Sequence, residues 1–364
     1  MMTMDSHRPQ RKPPMSRTSR FVVALICGMT VALSTGSGFT ASAGSGVEFP
    51  PPPPLGLDEV PVPEDNPMTP AKVDLGRRLF FEKRISGDGT IACASCHMPQ
   101  RGFSNGRQYA IGIGGRIGLR NAPTIINAAY NDTHFWDGRA KSLEEQAKGP
   151  IQHPAEMGAT EAHIAKTLGA LPSYRESFQR VFGSEKITLD RVVKAIATFE
   201  RTILSGNSLF DRWFFGGDKA ALTPAAVRGF KLFRGRGNCV KCHLVDSFSA
   251  PFTDHKFHNV GVGFDGRPTH PGREKITKRA RDRGKFKTPT LRDISKTMPY
   301  MHDGSLKTLE EVIDYYDRGG LANPNLDPDM KPLKFSKLEK SDLLAFLHSL
   351  DGSPPIIQAP RPSR

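Results

Sequence analysis

Two short stretches constrain this chain more than any other: Cys93-Ala94-Ser95-Cys96-His97 and Cys239-Val240-Lys241-Cys242-His243. Two thiols separated by two residues and followed at once by an imidazole suit covalent attachment of a haem. Each thiol forms a thioether to a vinyl group while the histidine reaches the iron. Disulfide pairs and zinc ribbons also use paired cysteines, but neither demands a histidine directly after each pair. A thioredoxin-like site needs a strand before its motif, and none is evident. The sequence therefore predicts two c-type haems, and a fold that must wrap one around each motif.

The remaining cysteine, Cys27, belongs to a different kind of segment. Arg8, Arg11, Lys12, Arg17 and Arg20 precede an uncharged apolar run from Phe21 to Leu33, and small residues then end in Ala41-Ser42-Ala43. That order reads as a Sec-type signal peptide over residues 1–43, and the apolar run is shorter than the ~20 residues that span a bilayer. Ile26 before Cys27 is not the small residue a lipid-attachment site requires. The expectation is a periplasmic protein without stable membrane insertion once the signal is cleaved, in keeping with haem attachment outside the cytoplasm.

The chain also repeats itself. Thr69-Pro70-Ala71-Lys72-Val73 leads through Gly76 and Leu79-Phe80 to Cys93, and Thr223-Pro224-Ala225-Ala226-Val227 leads through Gly229 and Leu232-Phe233 to Cys239. Thr followed by Pro is an N-cap and a first helical position, so one helix precedes each motif. Thr308 with Glu311 and Ser336 with Glu339 read as capping boxes, Gly319 and Gly352 as helix stops, and residues 190–203 have helical periodicity. Convincing period-two alternation is missing. The expected fold is mainly α, with two cytochrome c-like haem domains packed against each other: 68–215 and 216–352, after a Pro-rich linker over 44–67 and before a tail over 353–364.

Between the motifs lie Arg120-Asn121-Ala122-Pro123-Thr124, Phe135-Trp136-Asp137-Gly138-Arg139, Gln146, Gly149-Pro150 and Glu156, and beyond them Thr297-Met298-Pro299-Tyr300-Met301-His302-Asp303-Gly304. In order and spacing, residues 68–352 resemble the bacterial di-haem cytochrome c peroxidase and MauG family. The resemblance implies that His97 is the proximal ligand of a peroxide-reacting haem and His243 that of a second haem. It further implies Glu156 as distal acid/base, assisted by Gln146 beside Pro150, with Trp136 as a relay between the haems. Asn121 and the carbonyls of Thr297 and Pro299 would hold a calcium ion. A carboxylate near an open iron face suits peroxide cleavage, which needs a proton moved between the two oxygens. His134 and His153 are read as surface or structural residues.

Two departures from the family pattern bear on function. Many members carry a histidine before the Arg-Asn-Ala-Pro-Thr block that caps the peroxidatic iron; Ile113 stands there, within a Gly-rich run read as a flexible pocket edge. An axial methionine usually lies 17 residues after the Pro of the Pro-Tyr-x-His block, and counting from Pro299 gives Tyr316. MauG also has tyrosine there. Leu309, Val312, Ile313 and Tyr316 form one apolar helical stripe, so Tyr316 suits either ligation or a core. Met298, Met301 and Met330 are the alternative ligands.

Charge adds a hint about partners. Of a formal net charge of +14, residues from 216 onward supply 26 basic against 17 acidic groups, densest at Arg273, Lys275, Lys278, Arg279, Arg281, Arg283, Lys285 and Lys287. The cluster reads as a solvated loop or as a docking surface for an acidic protein. Nucleic acid is not an expected partner of an exported haem protein. Three functions remain: a peroxidase that reduces hydrogen peroxide with electrons from a small cytochrome c or cupredoxin, a MauG-like oxidase that modifies a partner protein, and a non-enzymatic di-haem electron carrier.

Overall fold

The structure is a computed structural model that describes residues 49–265 and 270–360. The expected signal peptide lies outside the described residues. The helices are α1 (Pro70–Phe80), α2 (Cys93–Cys96), α3 (Leu143–Gln152), α4 (Glu161–Gly169), α5 (Pro172–Phe182), α6 (Leu189–Glu200), α7 (Leu209–Phe214), α8 (Pro224–Arg234), α9 (Glu274–Thr277), α10 (Leu309–Asp317) and α11 (Lys337–His348). β1 (Phe257–His258) and β2 (Phe286–Lys287) form a two-residue antiparallel pair. The mainly α expectation matches.

Caps set the helix ends. Thr69 and Thr223 each accept the N–H of the residue three further on, with Pro70 and Pro224 at the first helical position, whose missing donor costs nothing there. Ser336 and Glu339 complete a capping box. At α10 only half of one forms: Thr308 accepts the Glu311 N–H, but the Glu311 carboxylate turns back to the N–H of Lys307 instead. Gly319, with φ +83°, follows α10 as expected, whereas α11 is closed by Ser349. Gly352 is no stop; a Cβ there would lie 2.4 Å from Ser205 Oγ.

Two apolar cores result. The first joins α1, α3, α4, α5 and α6 through residues such as Leu75, Phe80, Ile151, Phe178 and Phe199. The second joins α7, α8, α10 and α11 through Phe210, Phe230, Phe233, Ile313 and Phe346. The repeated glycines explain the matching helix pairs, α1 on α6 and α8 on α11. A Cβ on Gly76 would sit 1.9 Å from the Ala195 carbonyl oxygen, and one on Gly229 would sit 2.0 Å from that of Asp342. Both helices cross at backbone contact, which only glycine allows.

Segments read as linker and tail lie against this body. Asn66 is buried and bonds to Glu144, the Lys194 carbonyl and Lys72 on the first core. Ten residues earlier, the Gly56 carbonyl accepts from Arg292, itself buried and bidentate to Asp211 in the second. Ile357 packs on the first core and Ser353 bonds to Gly206.

Candidate di-haem site

One cavity of about 1170 Å³ reaches both Cys-x-x-Cys-His motifs. Its wall includes Cys93, Cys96 and His97 from the first half and Cys239, Cys242, His243 and Tyr316 from the second. All four cysteines are free thiols. Burial pushes the Cys93 thiol far up and that of Cys96 up to about 11.

Each histidine is fixed by its other ring nitrogen. His97 Nδ1 lies 3.1 Å from the Phe103 carbonyl oxygen and His243 Nδ1 2.8 Å from that of Phe252, which sets the Nδ1–H tautomer and leaves Nε2 as the lone-pair nitrogen. Burial lowers both pKa values, His243 to about 4, so both rings are neutral as iron ligands must be. Neutral anchored imidazoles, two pairs of free cysteines in the cavity wall and a largely apolar lining fit two haems.

The expected distal residues gather at the first motif. Gln146 and Pro150, one turn apart on α3, and Glu156 in the following loop all line the cavity. Pro150 has no N–H, so it withdraws the helical donor for the Gln146 carbonyl. The Gly-rich loop is tied to this site: the Ile113 N–H donates to the Glu156 carbonyl at 2.8 Å, and a Cβ on Gly112 would overlap the Ala155 carbonyl. It is a pinned edge, and Gly112 is there for close approach. Ile113 itself points toward Gly158 and not into the cavity.

The two histidines left unplaced by sequence reasoning are both cavity residues. His134 is buried, and desolvation lowers its pKa to about 4. His153 Nδ1 accepts the Ala155 N–H and stands 3.7 Å from Glu156 Oε1. No local signal marks either; His134 is set by its backbone bond to Ala140 ahead of α3, and His153 by the turn that follows α3.

Trp136 joins the halves. Its indole Nε1 donates to the Asn121 carbonyl at 2.9 Å and its own carbonyl accepts from the Lys287 N–H. Asn121, Thr297 and Pro299 line the same cavity, and the Asn121 amide nitrogen is engaged by the Arg107 carbonyl, which leaves its oxygen for a hard cation.

At the second motif, Leu309, Val312, Ile313 and Tyr316 all line the cavity, so the stripe on α10 faces it. Tyr315 takes the core position instead and donates to the Val260 carbonyl. Burial, with the nearby cysteines, raises the Tyr316 phenol pKa. Met301 and Met330 line the cavity; Met298 is exposed outside it. Sequence reasoning did not find His258, clasped by Asp254 at 2.9 Å and Asp327 at 2.6 Å beside Cys242. The Cys242 thiol and both carboxylates push its pKa up to about 10.

The basic cluster is partly structural. Arg273 donates to the Asp137 and Gly138 carbonyls, Arg283 pairs with Glu274, Lys285 pairs with Asp282, and Lys287 is buried. Lys275, Lys278, Arg279 and Arg281 remain exposed.

Fold and site together define a helical di-haem peroxidase class, and the comparisons agree. The family model of di-haem cytochrome c peroxidases matches residues 70–220. The methylamine utilization protein MauG of Methylorubrum extorquens is 42% identical over 305 residues, 84% of this chain and 85% of that protein. Cytochrome c551 peroxidase of Nitrosomonas europaea is 39% identical, covering 82% of this chain and 86% of its own length. A solved MauG-like protein associated with microbial copper homeostasis superposes with a TM-score of 0.73 at 38% identity, over 82% of this chain and 94% of that one. The chain belongs to the di-haem cytochrome c peroxidase and MauG family. It is an oxidoreductase acting on peroxide, and membership implies two c-type haems. Among the described residues no helix is long and apolar enough to cross a membrane.

Proposed function

We propose that the chain reduces hydrogen peroxide in the periplasm at a haem held by Cys93, Cys96 and His97, with electrons reaching it from a second haem held by Cys239, Cys242 and His243. The observation that carries this reading is the single cavity shared by both motifs, with Gln146, Pro150 and Glu156 gathered at one of them. The haems, when bound, supply the redox chemistry that turns peroxide, two electrons and two protons into two waters.

The chain's own residues manage position and protons. Glu156 takes a proton on a carboxylate oxygen from the inner peroxide oxygen and returns it to the outer one. The Gln146 amide orients peroxide, and Pro150 keeps water from the same face. Trp136, bonded to both halves, is the relay. Asn121 with the Thr297 and Pro299 carbonyls holds calcium and steadies Trp136 through the Asn121 backbone. The exposed cations Lys275, Lys278, Arg279 and Arg281 receive an acidic small cytochrome c or cupredoxin.

A second reading, oxidation of a partner protein in the manner of MauG, is favoured by Tyr316 in the wall beside the second motif. An anionic phenolate stabilises higher iron oxidation states, whereas a thioether favours ferrous iron. Stopped-flow mixing of the holoprotein with peroxide separates the two. Rapid oxidation of a reduced small cytochrome c or cupredoxin supports the peroxidase, and a long-lived oxidised state without donor turnover supports the protein oxidase. Glu156→Gln is expected to slow peroxide cleavage about 10²-fold or more with both haems retained by intact mass; an unchanged rate removes Glu156 from the reaction.

A further inference from the structure

α6 ends at Glu200 in the cavity wall, one turn beyond Ile196, which lines it too. The carboxyl is 4% exposed, and its Oε2 is buried without a hydrogen-bond partner. A buried polar oxygen left unpaired is costly, so a group kept in this state points to something the cavity receives.

The cation that acts on Glu200 already faces another group: Arg201, next along the chain, is bidentate to Glu144 on α3 at 2.8 and 3.2 Å. The titratable set is completed by Cys93 on α2, whose thiol feels the Glu200 charge, and by neutral His134 in the same cavity. Burial accordingly pushes the Glu200 pKa up to about 8, with Arg201 opposing and Glu144 reinforcing the rise. The group is poised so that a modest change in nearby charge moves its proton.

We propose that Glu200 binds a proton when the haem at Cys93–His97 is reduced and releases it when that haem is reoxidised. This rests on the reading that Cys93, Cys96 and His97 hold a haem. For each electron that a haem held there would take from the second haem, one proton from solvent converts the Glu200 carboxylate to the acid. The net charge of the cavity is unchanged, and reoxidation returns both. An unbalanced electron in a low-dielectric cavity is strongly disfavoured, and a carboxylate without a fixed cation is the group able to offset it. Nothing in the peroxide-cleaving role of Glu156 requires this second carboxyl.

The test is potentiometry of the purified holoprotein between about pH 6 and 9, a window around a carboxyl raised this far. In the unaltered protein the midpoint of the first haem is expected to be flat below about pH 8, where Glu200 is already the acid, and above it to fall by up to 59 mV, the one-electron equivalent of a tenfold change, for each tenfold loss of protons. In Glu200→Gln it should be nearly flat. A slope unchanged in that variant overturns the proposal. Redox-difference infrared spectra of the unaltered protein give a second measurement should the variant not fold: a protonated-carboxyl band gained on reduction is expected, and its absence overturns the proposal. Intact mass separates the underlying reading from this one. A chain without haem on Cys93 and Cys96 fails the first, and a two-haem protein with a pH-independent potential fails only the second.

Discussion

His134 shows how a single buried ring ties stability to acidity. Unfolded, it titrates near its ordinary 6.5, and folded near 4, because the cavity wall desolvates it. Between those values the unfolded chain binds more protons, so stability falls as pH drops through the window and is fully present above it. His134→Gln is expected to flatten the decline in melting temperature over that range, measured by circular dichroism. An equally steep decline would assign the acid sensitivity to other groups. That the haem-motif residues and Tyr316 would share one cavity wall was legible at this scale, because a covalent motif and a counted offset need no fold. Glu200 and His258 were not. One is a helix-end carboxylate until α1, α2 and α3 close around it, and the other acquires Asp327 from 69 residues away.

Among elements, the paired crossings of α1 on α6 and α8 on α11 are the repeat made physical. Sequence reasoning found both helices from the Thr-Pro caps and carried Gly76 and Gly229 as part of the pattern. That the glycines mark backbone contact follows only once the partner helix is present. Gly229→Ala places a methyl carbon 2.0 Å from the Asp342 carbonyl, a backbone atom that cannot rotate away. Separating the helices is expected to cost about 1–3 kcal/mol or more, by denaturant titration. A variant within about 0.5 kcal/mol of the parent, the range of ordinary surface changes, would mean that the crossing relaxes freely. The segments over 54–66 and 353–358 escaped sequence reasoning because proline-rich composition reports backbone stiffness and says nothing of what the chain lies upon.

At the scale of the whole molecule, the two motifs share one cavity, and Trp136 is among the residues bonded to both halves. Asn121 offers its side-chain oxygen toward the proposed calcium site while its backbone carbonyl receives the Trp136 indole. Chelation is therefore expected to slow electron transfer between the haems without releasing either, since the haems are held by thioethers. Stopped-flow spectra after treatment with a calcium chelator and after restoring the ion would check this. Unchanged transfer rates would dissociate the cation from Trp136. Donor docking on Lys275, Lys278, Arg279 and Arg281 should weaken as ionic strength rises, because exposed charges are screened beyond about 8–10 Å in physiological salt. A donor KM independent of salt would place the contact elsewhere.

The strap from Gly56 to Asn66 sets a limit on how this protein can be taken apart. Arg292 closes on Gly56 and Asp211, both on the N-terminal side of residue 216, and a lone guanidinium in that position would be a buried charge without its carboxylate. A gene fragment beginning at the second haem domain would thus omit the counter-ion of its own interior, and one ending before it would leave Asp211 facing an empty socket. Helix α7 precedes residue 216 in the chain yet packs in the second core, so a cut at the midpoint of the repeat is not a cut between the two interiors.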